Sequence, residues 1–377
     1  MNNMVRQEKL RDSRYELIRI IAMILIMASH CVKFTIGDYG FINQPATFNY
    51  IVAMIAIMFG NVGTYLFIIL TCWFSTGRVS FKAKRVTKML WQTWTTCILC
   101  ILIALVFKMK TINKVYIIRE LITPFDTQYW FVTTIVVFTM LLPVLQMVDL
   151  KLDNKKIKVI CAVLILARPV RAIVSKDLAG DLCDFIACFF IVSYLKREPE
   201  NWLRKHYRSG LFLYSLFVSI LILCKFALPD KLFGLTIFTS DGGGLYAALV
   251  RRIRLRTIFQ LFGAICAFYA LKETTIKPNK TINLIASNAF GVYLWHYNYA
   301  FRAIIWKGIF CANYLYTKTY MYIFLIMLGP VMVYLACSIV EVVRKKIFDD
   351  YLYEKMPWIQ KLEICIDNLY EWNDLKQ

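Results

Sequence analysis

Long apolar runs constrain this chain more than any other feature of its sequence. The first of them, from Ile20 to Ser29, carries no charge, and several later runs reach the ~20 residues that a helix needs to cross the core of a bilayer. The chain is 59% hydrophobic, above the roughly 45–50% of soluble globular domains. We therefore predict an all-α fold, a polytopic membrane helix bundle.

The apolar runs predict about ten transmembrane helices. Residues 1–346 then form the membrane domain, and residues 347–377 form a cytoplasmic, amphipathic and acidic tail. The predicted spans lie at about 15–34, 49–74, 89–107, 129–148, 157–175, 179–195, 209–227, 256–271, 284–306 and 319–343.

Basic residues border the apolar runs and account for most of the net charge of +21. In a soluble protein this charge would suggest a nucleic-acid partner, but here its position follows the positive-inside rule. We predict a multi-pass protein of the cytoplasmic membrane, with both termini in the cytoplasm and no nucleic-acid partner. The run from Arg251 to Arg256 would lie outside, so either a span is miscounted or these arginines meet an anionic external partner.

Arg19 opens the first apolar run and His30 closes it. On a helix, eleven steps of 100° bring the two side chains to within roughly 20° of one direction, about 16 Å apart along the axis. Met23 and Ile26 share their stripe, and Glu16 lies one turn earlier, where it can pair with Arg19. The cation and the imidazole share a face but cannot touch, which predicts that they hold two ends of one long ligand.

Three histidines occur, of which His206 lies in a basic loop, where we expect it to be solvated. His30 and His296 lie within or at the ends of apolar runs, where ionisable side chains are usually functional. A neutral imidazole that hydrogen-bonds a neighbouring helix is the alternative for His30, and a place in an interfacial aromatic belt is the alternative for His296. Arg168 and Arg171 either form ion pairs with Asp181 and Asp184 of the next span, or contact an anionic acceptor.

Four motifs occur in a fixed order along the chain. Arg19 and His30 are separated by ten residues in the first span; a Gly-containing second span runs from Gly63 to Gly77; and Tyr129-Trp130-Phe131 precedes Pro143. The fourth, from Ser287, ends in Tyr293-Leu294-Trp295-His296. Together they resemble the acyltransferase-3 family of membrane acyltransferases over about residues 15–345.

Two positions depart from the pattern of that family. The second span reads Ile69-Leu70-Thr71-Cys72-Trp73-Phe74 where a Ser-Gly pair is usual, and the R-x-x-R motif appears as Arg85 to Lys88. Lysine keeps the charge of arginine but loses its bidentate fork. A phosphate contact is therefore better supported at Arg85 than at Lys88.

The resemblance implies transfer of an acyl group, most often acetyl from acetyl-CoA, to a hydroxyl of an extracytoplasmic polysaccharide or glycolipid. Acyl-CoA would be a co-substrate, the bilayer and the glycan would be the other partners, and no metal is expected. A transporter or flippase of lipid-linked glycan is the alternative function, and a glycan polymerase is a third. The lack of an internal repeat and the spacing between Arg19 and His30 count against a transporter. No external loop is clearly long enough for a polymerase, and residues 228–254 come nearest.

Under the acyltransferase interpretation, His30 is the general base or is itself transiently acylated. Arg19 and Glu16 complete the catalytic set. Predicted contacts to the phosphates of CoA are the basic residues on the cytoplasmic side, Arg14, Arg19, Arg78, Lys82, Arg85 and Lys88. Candidates for the substrate cavity, which include three possible oxyanion donors, are Tyr129, Trp130, Arg168, Asn288, Tyr293 and His296.

Overall fold

The computed structural model describes residues 11–37, 45–109, 112–123, 127–174, 178–229, 231–232, 235–237, 258–318 and 320–370. At 127, 168–174, 178–180, 231–232 and 235 it describes the backbone alone. Within this part of the chain the fold is all-helical apart from one antiparallel pair of two-residue strands, β1 Lys231–Leu232 and β2 Leu235–Thr236, in which Lys231 faces Thr236.

In the described part of the chain, nine α-helices precede these strands. They are α1 Ser13–Ile36, α2 Phe48–Ser75, α3 Ala83–Val106, α4 Lys114–Ile122, α5 Trp130–Lys151, α6 Asn154–Val174, α7 Leu178–Arg197, α8 Trp202–Lys205 and α9 Tyr207–Ala227. The described helices that follow are α10 Ile258–Lys272, α11 Lys280–Ser287, α12 Ala289–Tyr297, α13 Tyr299–Ala303, α14 Ala312–Lys318, α15 Tyr322–Arg344 and α16 Pro357–Leu369.

Six helical segments of the described chain are long and apolar enough to cross a membrane, so the predicted count of about ten is not confirmed. They are α1, α2, α3, α5, α9 and the segment Tyr322–Lys355, in which α15 continues through the π-helix Lys345–Leu352 and a short 3₁₀ turn. The other predicted spans fall short for physical reasons. α6 carries five basic residues, α7 carries two acidic and two basic ones, and α10 has only 15 residues.

The predicted span 284–306 is divided into several short helices. Asn288 ends α11 and begins α12, and Asn298 separates α12 from α13, where its side chain accepts a hydrogen bond from the backbone N–H of Ala300. Asparagine favours such positions because its side chain competes for backbone hydrogen bonds. The run from Arg251 to Arg256 lies outside the described residues.

Helices α1 and α2 pack closely because two glycines face α1. A β-carbon added at Gly60 would lie 2.3 Å from Cβ of Ser29, and one added at Gly63 would lie 2.6 Å from the backbone oxygen of Ala22. Small residues allow this close approach, which is a common way for membrane helices to associate. The packing fixes α1, and with it the stripe that carries Arg19 and His30.

The acidic tail packs against the start of α3. Asp367 accepts a hydrogen bond from the first N–H of α3, at Ala83, over 2.7 Å, and Glu363 accepts one from the Thr87 hydroxyl over 2.6 Å. The ring of Tyr370 stacks on Phe81, with ring centroids 4.1 Å apart. Carboxylates are favourable at a helix N-terminus because they face its unpaired N–H groups and the positive end of its dipole.

Candidate functional site

A cavity of about 460 Å³ lies among six helices, α1, α2, α3, α5, α7 and α12. We call it the central cavity. Apolar and aromatic side chains form much of its wall, and charged or polar side chains interrupt the wall on several helices. A space of this size and composition is typical of a site for an organic ligand.

The stripe predicted on α1 lines the central cavity along its length. Arg19, Met23, Ile26 and His30 all face it, because residues three or four apart on a helix share a side. Arg19 forms an i,i+3 ion pair with Glu16 and keeps 28% of its side chain exposed, whereas Glu16 keeps only 6%. The eleven helical steps from Arg19 to His30 place the cation and the imidazole about 16 Å apart along the axis.

His30 is buried beside a second buried histidine from α12. Its Nδ1 lies 3.0 Å from Nε2 of His296, and Nδ1 of His296 lies 2.6 Å from the carbonyl oxygen of Val292. His30 lines the central cavity, and His296, which is fully buried, packs behind it and is not part of the lining. The ring of Tyr297 lies against that of His30, with centroids 4.6 Å apart.

The other predicted cavity residues divide into those that reach the cavity and those that do not. Trp130 and Tyr293 line it. Tyr129 is buried, donates to the carbonyl of Leu294 over 3.0 Å and accepts from Asn298 over 3.1 Å. Asn288 also lies outside the lining.

Asn288 is engaged at the basic end of the bundle, where its Oδ1 accepts a hydrogen bond from Nζ of Lys345 over 2.8 Å. Tyr293, in contrast, is buried at the cavity wall, and no acceptor among the described residues takes its hydroxyl proton. Of the three oxyanion candidates, Tyr293 is therefore the one that faces the ligand space. For Arg168 the structure describes the backbone but not the side chain.

Several polar residues of the cavity wall were not singled out from the sequence. Asn61 and Thr64 face the cavity from α2, and Lys33 faces it one turn beyond His30. A polar side chain within an otherwise apolar run is the signal that could have identified them.

Gln92 also lines the cavity and connects it to a buried charge network. Its amide donates to Glu341 over 2.8 Å, and the carboxylate of Glu341 pairs with Arg344, which is 1% exposed, over 2.8 Å. Arg344 also pairs with Asp349 over 2.7 Å. These buried charges stay satisfied because each is paired and hydrogen-bonded.

Asp181 and Asp184 line the central cavity from the first turns of α7 and are both buried. The sequence interpretation placed them in ion pairs with Arg168 and its neighbours, whose side chains lie outside the description. Both acidic side chains therefore form part of the wall of the central cavity.

Five of the six residues predicted to contact phosphate lie outside the cavity lining. Arg14 pairs with Asp12 over 2.6 Å, and its hydrogen bond lowers the pKa of that carboxyl. Lys88 lies 3.6 Å from Glu354 of the tail. Exposed side chains at and before the start of α3 are Arg78, Lys82 and Arg85.

Among the described residues, no group of three or more His, Cys, Asp or Glu side chains could hold a metal ion. The described part of the central cavity thus offers an imidazole, a guanidinium, carboxylates and aromatic rings. This set suits proton transfer and the binding of a long polar ligand with an anionic end.

Comparison with known families identifies one match. The family model described as an acyltransferase domain, acyltransferase 3, matches residues 12–342, which is nearly the whole chain. No curated protein and no solved structure matches the chain.

Proposed function

Because the chain belongs to the acyltransferase-3 family and is a multi-pass membrane acyltransferase, we propose that it transfers an acetyl group from cytoplasmic acetyl-CoA. The acceptor is a hydroxyl of an extracytoplasmic polysaccharide or glycolipid, and the central cavity is where donor and acceptor meet. The family match supports the reaction class. The donor, the acceptor and the roles of individual residues are our proposal.

The observation that carries the proposal is the presence of Arg19 and His30 at two depths of one cavity. Acetyl-CoA is a long molecule with phosphates at one end and a thioester at the other. Arg19 has five N–H donors and is only partly used by Glu16, so it can also bind phosphate. The pantetheine arm then runs along Met23 and Ile26 and brings the thioester to His30.

His30 acts as the general base in this proposal. Its ring nitrogen takes the proton of the acceptor hydroxyl as the oxygen attacks the thioester carbonyl. The carbon–sulfur bond breaks, the CoA thiolate leaves, and it receives the proton from His30. A positioned base of this kind contributes roughly 10²–10⁴-fold to the rate.

Side chains of other helices in the cavity wall support a sugar as the acceptor. Asp181 and Asp184 offer carboxylate oxygens that can accept hydrogen bonds from sugar hydroxyls. Trp130, Tyr293 and Tyr297 offer aromatic faces on which a sugar ring can pack. A cavity that carries both suits a glycan better than a purely apolar acceptor.

The test measures acyl transfer directly. Membranes containing the protein are given [¹⁴C]acetyl-CoA, and base-labile radioactivity is counted in the glycan fraction for wild type, His30→Ala and His206→Ala. His206→Ala is the matched control because it removes an imidazole that stacks on Trp202 outside the central cavity. We expect a loss of about 10² or more in His30→Ala and wild-type labelling in His206→Ala. Equal labelling in all three would overturn the proposal.

Arg19→Ala tests the other end of the cavity. We expect a higher KM for acetyl-CoA with a smaller change in kcat, because a phosphate contact is made equally in the ground state and the transition state. A fall in kcat with an unchanged KM would instead place Arg19 at the reacting atoms.

A further inference from the structure

Two hydrogen bonds in series connect His30 to the backbone of α12. Val292 O and Nδ1 of His296 are 2.6 Å apart, and Nε2 of His296 and Nδ1 of His30 are 3.0 Å apart. Both distances are within hydrogen-bonding range. The two histidines are 266 positions apart in the sequence, so helix packing alone brings them together.

The backbone carbonyl decides where the protons lie. A carbonyl oxygen can only accept a hydrogen bond. Nδ1 of His296 therefore carries a proton and donates a hydrogen bond to the carbonyl oxygen of Val292. In a neutral imidazole the other nitrogen then has a lone pair, which makes Nε2 of His296 an acceptor. For two neutral rings, the contact between them requires that Nδ1 of His30 carries its proton and that Nε2 of His30 has the lone pair.

We propose that His296 is a positioning residue that holds His30 in the tautomer with the proton on Nδ1 and the basic lone pair on Nε2. The proposal rests on the function of His30 as general base and deepens it. The hydrogen bond on one ring nitrogen sets which nitrogen is protonated. Because His30 lines the cavity and His296 lies behind it, this tautomer keeps the basic nitrogen on the ring edge away from His296.

The same contact also serves the protonated state. When His30 takes a proton on Nε2, its Nδ1–H already points at Nε2 of His296, so the imidazolium is stabilised without rearrangement. A neutral imidazole in this position avoids a permanent buried negative charge, which would be expensive inside a membrane. The rings of Tyr297 and Phe34 pack beside the imidazole of His30, with centroids 4.6 Å and 5.8 Å from its centroid. These contacts restrict the rotation of the His30 ring.

Nitrogen NMR tests the tautomer without any substrate. The chain contains three histidines, so protein labelled with ¹⁵N-histidine in detergent gives three ring systems, with His206 as the internal reference. We expect both His30 and His296 to show a protonated Nδ1 and an unprotonated Nε2. A neutral His30 that carries its proton on Nε2 would overturn the proposal.

Three substitutions at His296 separate positioning from packing. In His296→Gln the amide oxygen can take the place of Nε2 as acceptor, His296→Phe fills the volume without an acceptor, and His296→Ala does neither. We expect Gln to keep activity within a few-fold, and Phe and Ala to lose about 10–100-fold in kcat, with the KM for acetyl-CoA nearly unchanged. The His30 signals should keep the Nδ1–H tautomer in Gln and lose it in Phe.

If His296→Phe keeps wild-type turnover, His296 only fills space and the proposal fails. A failure of the proposed function would give a different experimental result from a failure of the tautomer proposal. If His30→Ala still transfers acetyl groups while wild-type His30 shows the Nδ1–H tautomer, His30 is not the base, but the proton arrangement of the pair is correct.

Discussion

Tyr293 is the candidate oxyanion donor whose side chain lines the central cavity. It lines the central cavity, stacks with Tyr297, whose ring also contacts His30, and no described acceptor takes its proton. A donor held in a largely apolar wall can stabilise negative charge that develops on the thioester oxygen. We therefore expect Tyr293→Phe to lower kcat, on the order of 10² if this is the main donor.

Tyr316→Phe provides the matched control for that measurement. The hydroxyl of Tyr316 is also buried without a hydrogen-bond partner among the described residues, but it lies on α14 and does not line the cavity. Acetyl transfer from [¹⁴C]acetyl-CoA should be unchanged in this variant. Equal activity in both variants would exclude Tyr293 as an oxyanion donor.

The sequence predicts contacts within one helix and misses contacts between helices. The shared face of Arg19 and His30 follows from 100° per residue on a continuous helix, and so does the Glu16–Arg19 ion pair. The contact between His30 and His296 depends on how α1 and α12 pack, which no local pattern encodes. The sequence therefore identifies both histidines as candidates but gives no indication that they touch.

At the scale of helices, the close packing of α1 on α2 controls the position of the stripe. A β-carbon at Gly63 would lie 2.6 Å from the backbone oxygen of Ala22, which cannot rotate away. We expect Gly63→Ala to destabilise the protein by about 1–3 kcal/mol, as overpacked sites do. It should also reduce acetyl transfer, because α1 carries both Arg19 and His30.

Thermal unfolding in detergent measures this effect, with Gly308→Ala as control. A β-carbon at Gly308 meets its nearest atom at 3.9 Å, an ordinary contact, so the melting temperature should stay close to that of wild type. A melting temperature of Gly63→Ala equal to that of Gly308→Ala would mean that the two helices do not need this close approach.

The docking of α16 on the start of α3 is a second arrangement of helices that can be tested. Asp367 and Glu363 accept hydrogen bonds from Ala83 and Thr87. Removal of a capping side chain costs about 1 kcal/mol, so Asp367→Ala combined with Glu363→Ala should loosen α16. We expect faster trypsin cleavage at Lys355 and Lys361 than in wild type.

The exposed residue Asp350 supplies the control for the proteolysis experiment, because Asp350→Ala removes a tail carboxylate outside this contact. Cleavage of the double variant at the rate seen for Asp350→Ala would contradict the docking. The sequence predicts an amphipathic, acidic tail here but does not identify its partner. Its acidic residues and the basic start of α3 are complementary in charge, yet about 270 residues separate Lys84 from Glu354, which lie 3.0 Å apart.

At the scale of the whole molecule, contacts between distant segments define two ends of the bundle. At the basic end, Ser13 bonds Asn283 over 2.8 Å, and Lys345 bonds the carbonyl of Ser287 over 2.7 Å. At the other end, Asn49 at the start of α2 bonds the carbonyl of Tyr316 over 2.7 Å. The positive-inside rule places the basic end in the cytoplasm, which remains a prediction.

Two exposed cysteines test this orientation. Cys311 precedes α14 at the end that carries Asn49, and Cys365 lies on α16 beside the basic start of α3. In a Cys183→Ser background, a membrane-impermeant maleimide should label Cys311 in intact cells and Cys365 only after permeabilisation. Cys311→Ser and Cys365→Ser identify the two signals. Labelling of Cys365 in intact cells would reverse the predicted topology.

The division of the predicted span 284–306 has a physical cause that the apolar pattern hides. Asn288 and Asn298 each interrupt the helix, and the short helix α12 between them carries Tyr293 and His296. A single asparagine changes the mean hydropathy of a span very little. Its side chain can nevertheless interrupt the helix because it competes for backbone hydrogen bonds. The number of spans was thus harder to predict than the identity of the cavity residues on α1.

A structure with a non-hydrolysable thioether analogue of acetyl-CoA tests the central claim most directly. The account predicts that the analogue lies in the central cavity, with its phosphates at the Arg19 end and its sulfur beside the ring of His30. An analogue bound outside the cavity, or bound with its phosphates beside His30, would contradict the account.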